Sequence, residues 1–309
     1  MIRVKNLTKS YRERLAVDDI SFAVGKGEIV GFLGPNGAGK TTTMRMLTGY
    51  LMPSRGEVWI GEYNMAAESL AGRRLVGYLP ETAPLYTDMT IRGYLTYAAR
   101  LRGLDRKRTK ARIDEVVVTC GLADYVDVIL GKLSRGYRQR VGLAQAIVHE
   151  PEVLILDEPT AGIDPIQVAQ TKALITELGK DRTILLSTHI LPDVSTICER
   201  VIIINKGRIV AEDRIDNLSD TMKAGKRLRL TVDGPAEAVS EALSRIDLLL
   251  SVTFEKPHHY IDYSFDQEPQ AAITRVMVER GWTLLAMEPA GMGLEDIFLK
   301  LADDAGSIH

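Results

Sequence analysis

The chain has 309 residues, 45% hydrophobic and 26% charged, with a formal net charge of −2. That length suits one large domain plus a small one, and the near-neutral balance argues against a nucleic-acid coat or a polybasic membrane anchor. No stretch approaches the roughly 18 apolar residues of a membrane span, the opening MIRVKNLTKSY lacks a signal-peptide core, and Cys120 and Cys198 match no metal or redox spacing, so they read as reduced thiols of a cytosolic protein.

Ile2 to Thr8 and Asp19 to Val24 read as strands joined without a helix, so an antiparallel β element leads into the fold. Glu28 to Leu33 is an apolar strand, and a helix is expected over Thr42 to Thr48. Asp88 to Cys120 is mostly helical in pattern and reads as an insertion between sheet strands. A helix is expected from Arg135 to Val148. The compact apolar runs Val153 to Asp157, Thr183 to Ser187 and Val201 to Asn205, with helical patterns between them, predict a largely parallel α/β sheet.

After Leu218 the texture changes, which divides the chain into a first domain, 1–218, and an accessory domain, 219–309. Arg227 to Val232 alternates as a strand, and Pro235 opens a helix running to about Ile246. Leu248 to Glu255 and His259 to Phe265 form a hairpin around Lys256-Pro257-His258. Glu268 to Arg280 is a second helix ending at Gly281, and Trp282 to Met287 a fourth strand. The order β-α-β-β-α-β is that of a ferredoxin-like module. A last helix is expected over Leu294 to Leu301.

Three places carry chemistry. Gly34-Pro35-Asn36-Gly37-Ala38-Gly39-Lys40-Thr41 fits G-x-x-x-x-G-K-[ST] in full and lies between a strand and a helix. A glycine-rich turn could merely cap a helix, but here the whole motif and its flanks are present. Its N–H groups and the following helix N-terminus attract phosphate oxygens. Lys40 reaches the β- and γ-phosphates, and the Thr41 hydroxyl suits Mg²⁺, which takes few protein ligands. Val153 to Glu158 is an apolar strand ending in two carboxylates. Ligands of an open parallel sheet sit at the C-terminal strand ends, so Asp157 is placed to hold Mg²⁺ and Glu158 to polarise an attacking water. His189 follows another strand end.

The third place is Leu133-Ser134-Arg135-Gly136-Tyr137-Arg138-Gln139-Arg140. Ser134 could be a plain N-cap. Yet Gly136 in a first helical turn costs about 1 kcal/mol against alanine, and Arg138 and Arg140 stand where the helix dipole disfavours cations. A serine hydroxyl, a glycine and a free helix N-terminus make an anion site. A second anion site makes sense if it closes on the nucleotide of another subunit.

The succession of the phosphate loop, LSRGYRQR, LILDEP, AGIDP and His189 resembles the ATP-binding subunit of ABC transporters, over about residues 1 to 215. The resemblance implies a P-loop NTPase of α/β class with antiparallel β and helical subdomains, followed here by a small α+β domain. It implies two copies paired head to tail around two ATP, with Ser134 and Gly136 contacting nucleotide in trans. It further implies that Tyr11 stacks on adenine, that Thr42 joins Gly34 to Thr41 in binding ATP, that Glu158 is the catalytic base and His189 a switch, and that Asp164 links the two sites. Two positions depart from the family's pattern. Its usual signature is Leu-Ser-Gly-Gly-Gln, whereas Arg135 and Tyr137 take the third and fifth places. Glu81, in Gly77-Tyr78-Leu79-Pro80-Glu81, stands where the family has a metal-sensing glutamine. The YLPE and LSRGY forms are similar to those of a bacterial gliding-motility and multidrug export subgroup. The implied function is ATP hydrolysis that powers a separately encoded membrane permease, as a peripheral subunit on the cytoplasmic face of the cell membrane. The apolar loop Ala83-Pro84-Leu85-Tyr86 is either a locally packed turn or an exposed surface that would meet that permease. No nucleic-acid partner is expected. The rival is a soluble ABC ATPase acting on ribosomes or DNA, which the single P-loop and the lack of coiled-coil or zinc insertions disfavour.

Overall fold

A computed structural model describes residues 1–12, 14–215, 225–264 and 267–290. It divides into two compact units, Met1–Ile215 and Asp216–His309. The boundary expected after residue 218 and the helix expected over 294–301 lie outside the described residues.

In the first unit, β1 (Ile2–Tyr11) and β2 (Arg14–Val24) pair antiparallel, and β1 also pairs with β4 (Arg55–Ile60), which carries the short β5 (Tyr63–Asn64). β2 begins five residues earlier than Asp19, because the hairpin closes tightly on the pair Tyr11 and Arg14. One face of this sheet is apolar: Ile2, Val4, Leu7, Val17, Ile20 and Phe22 are buried. Phe22 meets Phe32 of the second sheet at 5.5 Å between ring centroids.

The second sheet has six strands in the order β10-β9-β3-β8-β7-β6. These are β3 (Ile29–Leu33), β6 (Val76–Leu79), β7 (Val153–Asp157), β8 (Thr183–Thr188), β9 (Arg200–Asn205) and β10 (Arg208–Arg214). All pairs are parallel except β9 with β10. β3, β7 and β8 are buried at every position, which is why they read as unbroken apolar runs rather than alternating ones.

Helix α1 (Lys40–Leu47) follows β3 and buries Met44, Met46 and Leu47. It starts two residues before the expected Thr42, so that Lys40 and Thr41 belong to its first turn. α2 (Ser69–Arg74) precedes β6. The helical insertion consists of α3 (Ile91–Leu101) and α4 (Arg106–Thr119), capped by the side chains of Thr90 and Asp105. α5 (Arg135–Ile147) leads back to β7, α6 (Pro165–Gly179) joins β7 to β8, and α7 (Leu191–Ile197) follows β8. Cys120 and Cys198 are free and buried, and burial pushes the Cys120 thiol up to about 12.

His149, just past α5, bonds the Val76 carbonyl through Nε2 at 3.0 Å. Burial, aided by the nearby Arg102 charge, pushes its pKa down from 6.5 to about 4. Protonation therefore favours the unfolded chain, and the stability that neutral His149 contributes is complete above about pH 6.5 and lost as pH falls toward 4. Between pH 6.5 and 4.5 the wild type is expected to lose roughly 2–3 kcal/mol more than His149→Gln in urea unfolding. Equal losses would show that His149 titrates normally.

In the second unit, β11 (Gly225–Asp233), β12 (Leu249–Glu255), β13 (His258–Ser264) and β14 (Thr283–Ala290) form an antiparallel sheet in the order β12-β13-β11-β14. α8 (Ala236–Leu243) follows β11 and α9 (Gln270–Arg280) follows β13. Leu228, Leu230, Val239, Leu243, Ile261, Ile273 and Met277 make its core. α8 stops short of the expected Ile246. Pro235 lies at its N-cap rather than inside it, and β14 starts one residue after Trp282.

Candidate functional site

A cleft of about 670 Å³ opens at the C-terminal ends of the parallel strands. Tyr11, Arg14, Asn36, Gly37, Gly39, Lys40, Thr41, Thr42, Glu81, Glu158 and His189 line it, with Ala16 and Ala161. Ten residues expected from the sequence thus meet there, although they come from the first strand, the phosphate loop and the ends of β6, β7 and β8.

The phosphate loop needs its glycines for space and for conformation. A Cβ on Gly34 would strike the Ile204 carbonyl oxygen, and Gly39, at φ +111, would bring one to 2.6 Å from that of Ala16. Ala38 is buried, and its carbonyl accepts from the Gly207 N–H at 2.9 Å. Lys40 is 5% exposed. Its ammonium donates to the carbonyls of Gly34 (2.7 Å) and Pro35 (3.2 Å) and lies 3.3 Å from Glu158 Oε1. A buried cation is thus held by carbonyls and one carboxylate, partners that a phosphate can replace.

Asp157 is fully buried at the end of β7. Its Oδ1 accepts from Ser187 Oγ at 2.5 Å and Thr41 Oγ1 at 3.3 Å. Burial raises its pKa; the Ser187 and Thr41 hydrogen bonds oppose that, and the Glu158 and Glu81 charges add to it. Oδ2 is buried without a hydrogen-bond partner. An orphaned carboxylate oxygen beside a threonine hydroxyl fits a small hard divalent cation, and such a cation would remove the cost of burying the charge. Among the described residues, no three of His, Cys, Asp and Glu converge as a metal cage, so the fit is to an ion that keeps waters and phosphate oxygens in its shell.

Glu158 takes the left-handed conformation, φ +50, and is 5% exposed. Its N–H donates to Ser187, both to Oγ (3.0 Å) and to the carbonyl (3.1 Å). Strain of this kind costs on the order of 1–3 kcal/mol and is held by its surroundings. It turns the Glu158 carboxylate toward Lys40 on one side and His189 on the other, where Nδ1 lies 2.8 Å from Oε2. Two residues beyond Glu158, Thr160 bonds Asp193, which Lys172 meets at 2.6 Å.

Ser134, Gly136 and Asp164 lie outside this cleft. Ser134 caps α5 by accepting from the Tyr137 N–H at 3.4 Å, and Asp164 caps α6 by accepting from the Gln167 N–H at 3.0 Å. Gly136 has a reason within its own chain that the sequence did not reveal: the Gln167 side chain occupies the space a Cβ would need. Gln139 Nε2 donates to the Pro159 carbonyl at 3.2 Å, and Arg140 bonds Gln170. Tyr137 packs on Tyr125 at 4.5 Å and lies under the Arg140 guanidinium.

Three participants had no clear sequence signal. Arg14 faces Tyr11 across the hairpin and carries a cation over the phosphate loop near Gly37. Ser187 braces Asp157 and Glu158, and Gln167 covers Gly136; both lie about thirty residues from the groups they hold.

Residues 17–161 match the family model described as ABC transporter. The chain is 34% identical to the bacitracin transport ATP-binding protein BcrA of Bacillus licheniformis, over 97% of each chain. It is 33% identical to a Nod factor export ATP-binding protein I of Burkholderia orbicola, over 97% of this chain and 96% of that one. A solved ATP-binding subunit of an ABC transporter aligns with 72% of this chain and 93% of its own length at TM-score 0.66 and 32% identity.

Proposed function

The chain belongs to the ATP-binding, ATP-hydrolysing subunits of ABC transporters, and from that premise we propose that two copies close head to tail on two ATP and drive an exporting permease encoded separately. Among the described residues no helix is long and apolar enough to cross a membrane. This reading gives the membrane path to a separate chain, met from the cytoplasmic side. A relative named for Nod factor export supports the outward direction.

The observation that carries the mechanism is the chain Lys40–Glu158–His189, with spacings of 3.3 and 2.8 Å. Lys40 pairs with Glu158. When ATP enters, its β- and γ-phosphates take Lys40 away from Glu158 and from the loop carbonyls. Glu158 is then free to accept a proton from the attacking water, with His189 holding its other oxygen. Thr41 and Asp157, with Glu81 close by, would hold Mg²⁺, which would supply charge neutralisation at the phosphates. Tyr11, 46% exposed at the cleft mouth, offers its ring to adenine. Ser134 and Gly136 meet the γ-phosphate of the other copy, and Asp164 carries the state of one site to the other.

The experiment that tests this reading is capture of tagged Glu158→Gln chain with ATP from detergent-solubilised cells. A co-purifying multi-span membrane protein is the expected result. Ribosomal or nucleic-acid proteins without a membrane protein would replace the transporter reading with that of a soluble ATPase.

A further inference from the structure

Arg135 is the least settled charge in the signature stretch. Arg138 Nε donates to the Leu133 carbonyl at 3.0 Å, while Arg140 bonds Gln170 and stacks over Tyr137. Arg135 is exposed, and its guanidinium lies against the backbone of Gly162, at φ +68, where any Cβ would strike it. Among the described residues no carboxylate lies within ion-pair distance of Arg135. It also occupies the first residue of α5, where the helix dipole disfavours a cation by about 0.3–1 kcal/mol.

The cleft has the opposite imbalance. Asp157, Glu158 and Glu81 bring three carboxylates to the cleft, against two cations, Lys40 among them and Arg14 over the phosphate loop near Gly37. Glu81 and Arg135 are two of the places where this chain departs from the pattern of its family, one adding a negative charge and the other a positive charge. On the head-to-tail reading, on which this inference rests, α5 of one copy faces the γ-phosphate of the other.

We propose that Arg135 reaches across the closed dimer to the γ-phosphate and offsets the charge of Glu81 of the partner subunit. The two departures are then one compensated pair. ATP is the ligand that completes it, because ADP lacks the terminal phosphate that lies between the two charges. Gly162 keeps the guanidinium extended at the rim until a second copy arrives, since any side chain there would displace it.

The test is a double-variant cycle in the Glu158→Gln chain, reading the ATP concentration at half-maximal dimerisation by light scattering. Arg135→Gly should raise that concentration about tenfold or more, as loss of one partner of a close charge pair does across an interface. Adding Glu81→Gln should bring it back to within about threefold of the parent, because the unmatched charge is gone. Arg135→Lys should stay close to the parent, and the affinity of the monomer for ADP should not move in Arg135→Gly or Arg135→Lys, both of which lie outside the cleft. Independent, multiplying effects of the two substitutions, or no effect of Arg135→Gly, would overturn the pairing while leaving the dimer intact. Failure of the Glu158→Gln chain to dimerise at any ATP concentration would remove the head-to-tail reading and the pairing with it.

Discussion

Glu158→Gln is expected to lower steady-state ATP turnover by roughly 10²- to 10³-fold while ATP binding is kept. Glutamine fills the same volume between Lys40 and His189 and can still bond His189, but its amide accepts no proton from water. The substitution also removes the carboxylate that Lys40 meets at 3.3 Å, so the ammonium is released to phosphate more readily and ATP affinity should stay equal or rise. Phosphate release at saturating Mg²⁺ and ATP measures the first effect, and equilibrium binding of a fluorescent ATP analogue the second. Wild-type turnover in this variant would take the role of base away from Glu158.

Lys40→Met should act on the opposite step. The methionine keeps most of the buried stem but removes the cation that sits 2.7 Å from the Gly34 carbonyl. ATP affinity should fall by roughly 30-fold or more, the cost of about 2 kcal/mol or above for removing one partner of a buried charge contact. Glu158 is then left 5% exposed without its cation, so the thermal unfolding midpoint should fall too. Lys40→Met/Glu158→Gln separates the two effects: stability should return and ATP affinity should not. If ATP affinity returns with stability, the lysine acts through the fold and not through phosphate.

The phosphate loop was readable because its parts are contiguous. Eight neighbouring residues carry the glycines, the lysine and the threonine, and the flanking strand and helix follow from local apolar pattern. The strand ends at Asp157 and His189 were readable for a related reason, since parallel order brings such ends to one side. What could not be read were contacts closed by the sheet. Ser187 reaches Asp157 only because β7 and β8 are neighbours in register, Asp157 opposite Ser187. Arg14 comes over the phosphate loop because the β1–β2 hairpin folds above β3. Gly136 taught the clearest lesson. Its cost in a helix pointed to close approach, and the approaching group in the single chain is Gln167, whose position depends on how α5 and α6 pack.

That packing has a mechanical meaning. Gln139 holds the Pro159 carbonyl one residue beyond Glu158, Gln167 rests on Gly136, Arg135 lies on Gly162, and Arg140 bonds Gln170. These contacts tie the start of α5 to the strand end at Glu158. On the proposed head-to-tail reading, a shift at Glu158 when phosphate leaves would be passed to the α5 surface that faces the neighbouring copy. Each copy would work like one arm of a pair of scissors, whose blade cannot open at one end without moving the grip at the other.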